Sequence, residues 1–242
     1  MDQLEALSAE RLERGLGRRV RCLAVTGSTN AVARAAVREG SLGPGGLVVA
    51  EAQEAGRGRL GRSWSSEPGK NLLFSLILPM EMPPQLAPRA VLVWAAAMAE
   101  RTGLWLKWPN DLVDEADHKV GGILAETESG PGGERRLVLG VGLNVNQVAF
   151  PGLPFVRSLA LLRGGPLDRN SLLIELVQAI EAVDPADPCG LDRWRARART
   201  LGRRVRVGDR EGLATGLRED GALLIEGHPV LAGDVELVGG AG

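Results

Sequence analysis

The chain alternates between short apolar runs typical of strands and longer stretches in which apolar residues recur at helical spacing. The predicted strands comprise residues 20–25, 47–53, 72–78, 104–108, 119–126 and 135–146. The predicted helices comprise residues 28–40, 86–102, 168–183 and 191–200, after a charged helix or leader over 1–19. The glycine- and proline-rich turn SGPGG joins the last two strands, which are therefore expected to form a hairpin.

The pattern changes near residue 200. From there the segments RRVRVGD, GLATGLR, GALLIEG and DVELVG predict short strands at even spacing, separated by Gly, Asp and Glu. This rhythm predicts a small β-barrel of about 40 residues. We therefore place a domain boundary between a core over residues 1–199 and a barrel over residues 200–242.

Composition limits the classes of protein to which the chain can belong. Hydrophobic residues make up 44% and charged residues 24% of its 242 residues, and the formal net charge is -1, which is typical of a globular protein. No apolar run approaches the roughly 20 residues that span a bilayer, and no signal-peptide pattern precedes the first strand. Two cysteines and two histidines are too few for a disulfide framework or a His-ligated metal. We therefore expect a cytoplasmic protein without a tightly bound metal.

Residues 56–64, Gly-Arg-Gly-Arg-Leu-Gly-Arg-Ser-Trp, form the most distinctive segment, which we call the arginine loop. A near-neutral chain has no overall field that attracts anions, so any anion site must be local. Three arginines alternate with three glycines here, and guanidinium groups beside open backbone N–H groups bind phosphate oxygens. Trp64 ends the segment with a ring that could cover a ligand. The alternatives are a solvated basic loop and an RNA-binding loop.

Lysine is scarce, because only Lys70, Lys107 and Lys119 occur among 29 basic residues. Where arginine has replaced most lysines, a remaining lysine can be one whose compact charge arginine cannot supply. Lys119 precedes two glycines inside the apolar strand KVGGIL. Glycines weaken a strand, so they indicate that something lies close to the backbone there. A surface lysine before a strand is the simpler alternative.

Two further segments place polar residues beside predicted strands. Pro109 ends one strand, so Asn110 and Asp111 lie at a strand end, where α/β proteins commonly bind ligands. An ordinary turn is the alternative there. In the segment GVGLNVN over residues 140–146, glycines alternate with apolar residues around Asn144. A β-bulge or tight sheet packing is the alternative for this segment.

With these segments in order, the chain resembles the biotin–protein ligases. The strings GRGRLGRSW, KWPNDL, KVGGILAE and GVGLNVN are similar to that family's defining blocks and follow the family's order, over about residues 20–240. The resemblance implies an α+β fold with a mixed-sheet catalytic core of the class II synthetase and biotin ligase type, followed by a small SH3-like barrel. Some members also carry an N-terminal winged helix-turn-helix and repress transcription. Residues 1–19 alone precede the first predicted strand, so we expect a ligase without the repressor role.

The resemblance also implies roles for individual residues. Those expected to contact biotin are Ser28, Thr29, Asn30, Gln53, Arg57, Gly58, Arg59 and Lys119. Those expected to line the nucleotide are Arg59, Arg62, Trp64, Asn110 and Asn144. Lys119 and Arg57 are expected to stabilise charge on the phosphate, and Asp111 to orient or deprotonate the acceptor amine. Phe150 and Phe155 both stay open as the residue that stacks on adenine.

The implied reaction has two steps. The carboxylate of biotin attacks the α-phosphate of ATP and pyrophosphate leaves. A lysine amine of a biotin carboxyl carrier protein then takes the biotinyl group from the adenylate. Mg²⁺ is expected to accompany ATP as part of that substrate. No DNA or membrane partner is expected, and a homodimer stays open.

Two other functions stay open at this point. A lipoate–protein ligase has a related core and the same adenylate chemistry, although the arginine loop favours biotin. A nucleic-acid-binding module built on the arginine loop would show a broad basic face and stacking aromatics. The net charge of -1 and the 3% share of aromatic residues oppose that second function.

Overall fold

The computed structural model describes residues 5–187 and 189–238. Residues 1–4 of the predicted N-terminal helix and residues 239–242 of the predicted barrel lie outside the described residues. Among the residues described, no helix has the length and apolarity needed to cross a membrane.

The helices and strands follow the predicted order closely. The strands are β1 (Val20–Thr26), β2 (Leu47–Gln53), β3 (Leu72–Pro79), β4 (Trp105–Lys107), β5 (Asp111–Val113), β6 (Lys119–Ser129), β7 (Arg135–Leu143), β8 (Arg204–Val207), β9 (Arg210–Leu217), β10 (Leu223–Ile225), β11 (His228–Val230) and β12 (Glu236–Leu237). The helices are α1 (Ala9–Leu16), α2 (Thr29–Arg38), α3 (Ala87–Thr102), α4 (Leu159–Arg163), α5 (Arg169–Glu181) and α6 (Gly190–Ala196). Short 3-10 turns lie at Arg59–Gly61 and Pro84–Leu86. The pattern of the sequence did not predict β5, α4 or β11.

Two compact units make up the chain. The first contains Met1–Glu81 and Lys119–Gln178, and the second contains Met82–His118 and Ala179–Gly242. Helix α5 therefore begins in the first unit and ends in the second. This division differs from the predicted domains, and the predicted boundary near residue 200 remains a prediction.

A mixed sheet forms the centre of the first unit, with the strand order β1-β2-β3-β7-β6. Strands β1 and β2 are parallel, whereas the other neighbours are antiparallel. Helix α2 packs on this sheet through a buried apolar cluster formed by Ala33, Val37, Val48, Ile77 and Val138. Strands β6 and β7 form the predicted hairpin. The register of this antiparallel pair determines which residues of the two strands lie opposite each other.

The second unit combines helix α3 and the antiparallel pair β4–β5 with a five-stranded antiparallel sheet. That sheet has the order β11-β10-β9-β8-β12 and occupies the tail of the chain. Helix α3 has Pro88 in its first turn and ends at Gly103, whose φ of 72° gives the left-handed cap that was predicted. The α+β fold with a mixed sheet and a second, antiparallel sheet in the tail is therefore confirmed.

Buried polar groups hold the tail sheet within the second unit. The indole Nε1 of Trp108 donates a hydrogen bond to the carbonyl oxygen of Gly221 at 3.0 Å, and Trp108 is 2% exposed. The guanidinium of Arg89 on α3 donates to the carbonyl oxygens of Pro185, Asp187 and Glu219. These bonds give the buried indole and guanidinium donors acceptors on the backbone of the tail and of the segment before helix α6.

Candidate active site

A platform of glycines lies where β6 and β7 pair. Gly122 and Gly142 are opposite each other in the register, and the indole ring of Trp64 lies over them. A methyl group at Gly142 would come 2.5 Å from Cε2 of Trp64, and one at Gly122 would come 3.5 Å from Cζ3. The ammonium Nζ of Lys119 stands 5.7 Å from the centre of the same ring, at cation–π distance. In this structure, the group that the glycines admit is therefore the ring of Trp64.

The arginine loop is folded as a small hairpin. The Gly58 N–H donates to the carbonyl oxygen of Arg62 at 2.7 Å, and the Trp64 N–H donates to that of Gly56 at 2.9 Å. A Cβ atom at Gly56 would collide with the carbonyl oxygen of Trp64, so this position requires glycine. Leu60 at the tip has a positive φ of 54° and is strongly exposed. The hairpin thus sets the place at which Trp64 meets the sheet.

A buried polar network lies at the start of helix α2. The side-chain Oε1 of Gln53 accepts hydrogen bonds from the Thr29 N–H at 2.8 Å and from the Thr29 hydroxyl at 3.0 Å. Because a backbone N–H can only donate, it fixes which end of the Gln53 amide faces Thr29. The hydroxyl of Ser75 lies 2.6 Å from Oδ1 of Asn30 and 2.8 Å from Oγ1 of Thr29. Ser28 occupies the N-cap position of α2, but its hydroxyl makes no capping hydrogen bond.

Glu126 on β6 connects this network to the arginine loop. Its Oε2 accepts a hydrogen bond from Nδ2 of Asn30, and its Oε1 accepts one from Nη1 of Arg34, both at 2.8 Å. The Nη2 atom of Arg57 lies 4.0 Å from the same Oε2. One carboxylate is therefore close to two of the residues expected at biotin.

Asn144 holds the chain that leaves β7 against the start of β6. It is 3% exposed, and its Nδ2 donates to the carbonyl oxygen of Arg157 at 3.1 Å. Its backbone N–H donates to the carbonyl oxygen of Val120 at 2.8 Å. Lys119 donates its backbone N–H to Phe155 and accepts one from Arg157. Asn144 and Lys119 thus lie on adjoining segments of the first unit.

The second unit contains Asn110 and Asp111. Asp111 is the first residue of β5 and lies opposite Lys107 of β4, and Asn110 lies in the turn between these strands. Both residues are half-buried.

Ion pairs also connect the loop between β5 and β6 with the segment before β8. Asp117 pairs with Nε of Arg199 at 2.9 Å and with Nη1 of Arg203 at 2.6 Å. Burial of the Asp117 carboxyl would raise its pKa, but the hydrogen bonds from both arginines outweigh burial and lower the pKa below its ordinary value. Nearby, Nδ1 of His118 lies 2.9 Å from Oδ2 of Asp114. Over residues 5–187 and 189–238, no group of three or more His, Cys, Asp or Glu side chains is arranged to hold a metal ion.

Comparison with known proteins decides the family. The model of the biotin/lipoate A/B protein ligase family matches residues 22–146. The bifunctional ligase/repressor BirA of Escherichia coli is 34% identical over 83% of this chain and 68% of its own length. The biotin–[acetyl-CoA-carboxylase] ligase of Mycobacterium tuberculosis is 35% identical over 90% of this chain and 88% of its own length.

The chain belongs to the biotin/lipoate A/B protein ligase family.

Solved structures of biotin protein ligases have the same fold. A biotin protein ligase from Aquifex aeolicus, in complex with biotin and ATP, matches 90% of this chain and 97% of its own with a TM-score of 0.72 at 29% identity. A biotin acetyl coenzyme A carboxylase synthetase from Helicobacter pylori matches 86% of this chain and 98% of its own, with a TM-score of 0.61 at 24% identity. The second likeness concerns the fold alone. Together these findings confirm the family and the fold class that the sequence predicted.

The ligase fold gathers most of the expected site residues in its first unit. These are Ser28, Thr29, Asn30, Gln53, Arg57, Gly58, Arg59, Arg62, Trp64, Lys119 and Asn144. Asn110 and Asp111 belong to the second unit. The roles of all these residues toward biotin and the nucleotide remain predictions.

Two residues of this ligase site were missed from the sequence. Ser75 is fully buried in the otherwise apolar strand LLFSLIL, and a lone polar residue in such a strand was the available signal. Glu126 ends the string KVGGILAE, where its charge follows an apolar run. Neither signal shows which partner the side chain meets.

Proposed function

We propose that the chain is a biotin–protein ligase, which activates biotin with ATP as biotinyl-5′-adenylate and transfers biotin to a lysine of a carrier protein. The convergence of Trp64 and Lys119 on the platform of Gly122 and Gly142, beside the arginine loop, carries this proposal. Relatives named as ligases for biotin match most of the chain, and the similar ligase of Aquifex aeolicus is solved with biotin and ATP.

The chemistry of biotin fits the groups of the first unit. Biotin has an apolar bicyclic ring, a ureido group that donates and accepts hydrogen bonds, and a carboxylate on an aliphatic tail. The indole of Trp64, which covers the glycine platform, offers apolar surface for the ring. Hydroxyl and amide groups of Ser28, Thr29 and Gln53 suit the ureido group, which needs both donors and acceptors.

Adenylation requires positive charge where the reacting phosphate gains negative charge. An oxygen of the biotin carboxylate bonds to the α-phosphorus of ATP, and the bond to pyrophosphate breaks. The ammonium of Lys119 and the guanidinium groups of Arg57 and Arg59 stabilise the charge on the phosphate oxygens. Mg²⁺ enters with ATP as part of this substrate. Phosphate oxygens are expected to be its main ligands.

Transfer requires an acceptor amine in its neutral form. The lysine ε-amine of a biotin carboxyl carrier protein attacks the acyl carbon of the mixed anhydride, and AMP leaves. We assign the orientation or deprotonation of that amine to Asp111. Because the anhydride is already reactive, much of the rate of this step comes from proximity. We place the reaction in the cytoplasm, with the carrier as its protein partner and neither DNA nor a membrane involved.

The test is biotin-dependent exchange of pyrophosphate into ATP in the absence of any carrier. Exchange is expected, because the adenylate forms before transfer. Exchange that needs the carrier would contradict the two-step scheme. A lipoate–protein ligase is the second candidate, because the matching family model covers both kinds of ligase. Exchange with lipoate and not with biotin would favour that candidate.

A further inference from the structure

The carboxylate of Glu126 is held in a fixed place on β6. Each of its two oxygen atoms accepts a hydrogen bond at 2.8 Å, one from Asn30 and one from Arg34. Asn30 is 4% exposed and is held at its other amide atom by Ser75. Arg34 is held as well, because its Nε pairs with Glu128 at 3.0 Å. Because both partners of Glu126 are restrained, its carboxylate has a fixed position. A change in the distance between Glu126 and the arginine loop therefore requires movement of the loop.

Arg57 of the arginine loop lies beside this fixed charge without a direct hydrogen bond to it. Its Nη2 is 4.0 Å from Oε2 of Glu126, which exceeds the usual N–H···O distance of about 2.7–3.2 Å. The attraction is therefore electrostatic, and it leaves N–H groups of the guanidinium for another acceptor. The side chain of Arg57 is 49% exposed, so a ligand can reach it.

We propose that Glu126 is a positioning residue, a fixed counter-charge that holds Arg57 of the ligand-free arginine loop over the sheet, ready for the anionic part of the acyl-adenylate. The proposal rests on the proposed function for the identity of that anion. Holding the arginine before the ligand arrives lowers the entropy that binding would otherwise cost. Glu126 acts through Arg57 and is not assigned any contact with the reacting atoms.

The chain offers a matched control for Glu126. Glu128 lies two residues further along β6, so its side chain points to the same face of the sheet. It pairs with Arg34 and Arg38 of helix α2. The substitutions Glu126→Gln and Glu128→Gln therefore remove the same charge from one strand face, and only the first removes it beside Arg57.

The first experiment measures amide hydrogen exchange over residues 56–64 in the ligand-free protein. Glu126→Gln should speed exchange at the Gly58 and Trp64 amides by about two- to fivefold, the scale of a partly exposed ion pair. Glu128→Gln should change these amides much less, because Glu126 keeps its charge and its direct hydrogen bonds to Asn30 and Arg34. In about 1 M salt, where the screening length is about 3 Å, the difference between wild type and Glu126→Gln should largely vanish. Equal exchange in Glu126→Gln and wild type at low salt would overturn the proposal.

The second experiment is a double-mutant cycle on the affinity for a non-hydrolysable acyl-sulfamate analogue of biotinyl-adenylate, measured by calorimetry. Glu126→Gln should weaken binding about threefold, and it should add nothing once Arg57→Gln is present. An equal effect of Glu126→Gln with and without Arg57 would show that Glu126 acts through Asn30 instead, which would overturn the proposal. A wild-type protein that binds no analogue would contradict the proposed function, and hydrogen exchange in the ligand-free protein would still decide whether Glu126 holds Arg57.

Discussion

The indole ring of Trp64 rests on the α-carbon of Gly142. A methyl group at residue 142 would come 2.5 Å from Cε2 of Trp64 and 2.8 Å from its Nε1. Such distances are far below van der Waals contact, so any larger residue would displace the ring. The Nε1 group of Trp64 is buried and has no hydrogen-bond partner among the described residues. The contact therefore joins the arginine loop to the middle of the sheet.

The substitution Gly142→Ala tests this contact. It should move Trp64 off the platform and lower the rate of biotin-dependent pyrophosphate exchange by up to about 10²-fold, the scale of a misplacement by about 1 Å in an active site. Circular dichroism should show a folded protein. Gly165→Ala is the control, because an added methyl group at Gly165 meets no atom within 4 Å. Exchange near the wild-type rate in Gly142→Ala would show that the platform need not be bare.

Lys119 is expected to act through its compact charge. Lys119→Ala should lower the rate of adenylate formation by about 10²-fold or more, the cost of losing one preorganised donor. Lys119→Arg should recover only part of that rate, since a planar guanidinium does not replace an ammonium beside Trp64. Lys70→Ala serves as the control in the same unit. Rates of pyrophosphate exchange near wild type in both Lys119 variants would show that Lys119 is an ordinary surface lysine.

Arg89 should be important for the stability of the second unit. It is 7% exposed and donates to three backbone carbonyl oxygens. Arg89→Met should lower the free energy of unfolding by about 1–3 kcal/mol, because it removes the hydrogen bonds of a charged donor to three backbone carbonyl groups. Urea unfolding measures the loss, with the exposed Arg101 on the same helix replaced by Ala as the control. A loss as small as that of the control would mean that water or neighbouring groups replace the guanidinium.

The lowered pKa of Asp117 predicts a dependence of stability on pH. A carboxyl whose pKa is lower in the folded protein stabilises it above the unfolded pKa of about 3.9 and loses that contribution as pH falls through the folded value. Asp117→Asn should therefore be less stable than wild type at neutral pH, and the difference should shrink below about pH 4. Thermal unfolding across this range measures it, with the exposed Asp209→Asn as the control. A constant difference down to low pH would contradict the ion pairs with Arg199 and Arg203.

Local patterns explain why most of the fold could be predicted. Apolar periodicity and turn residues determine helices and strands over short stretches, so the β6–β7 hairpin and both ends of helix α3 agree with the sequence. Strand β5 has three residues and helix α4 has five, which is too short to show a period. The small tail sheet was expected, but the hydrogen bonds that hold it in the second unit were not. Arg89 and Trp108 donate these bonds to residues more than 100 positions further along the chain.

The sequence predicted most residues of the candidate site but not which side chains they contact. The glycines of β6 and β7 indicated that something approaches the backbone, whereas the filling group, Trp64, depends on how the arginine loop folds back. Asn30 was expected to contact a ligand, yet in this structure its amide bonds to Ser75 and Glu126. Side-chain pairing between distant segments depends on the register of strands and the placement of helices. The local pattern of a single sequence does not show which distant segments come together.

Mass spectrometry of a biotin carboxyl carrier domain tests the central claim most directly. The carrier is incubated with this protein, ATP and either biotin or lipoate, and its mass and modified residue are determined. We expect one biotinyl group on a single lysine of the carrier, dependent on ATP and greatly reduced with Lys119→Ala. A carrier that stays unmodified with biotin, or that gains a lipoyl group instead, would contradict it.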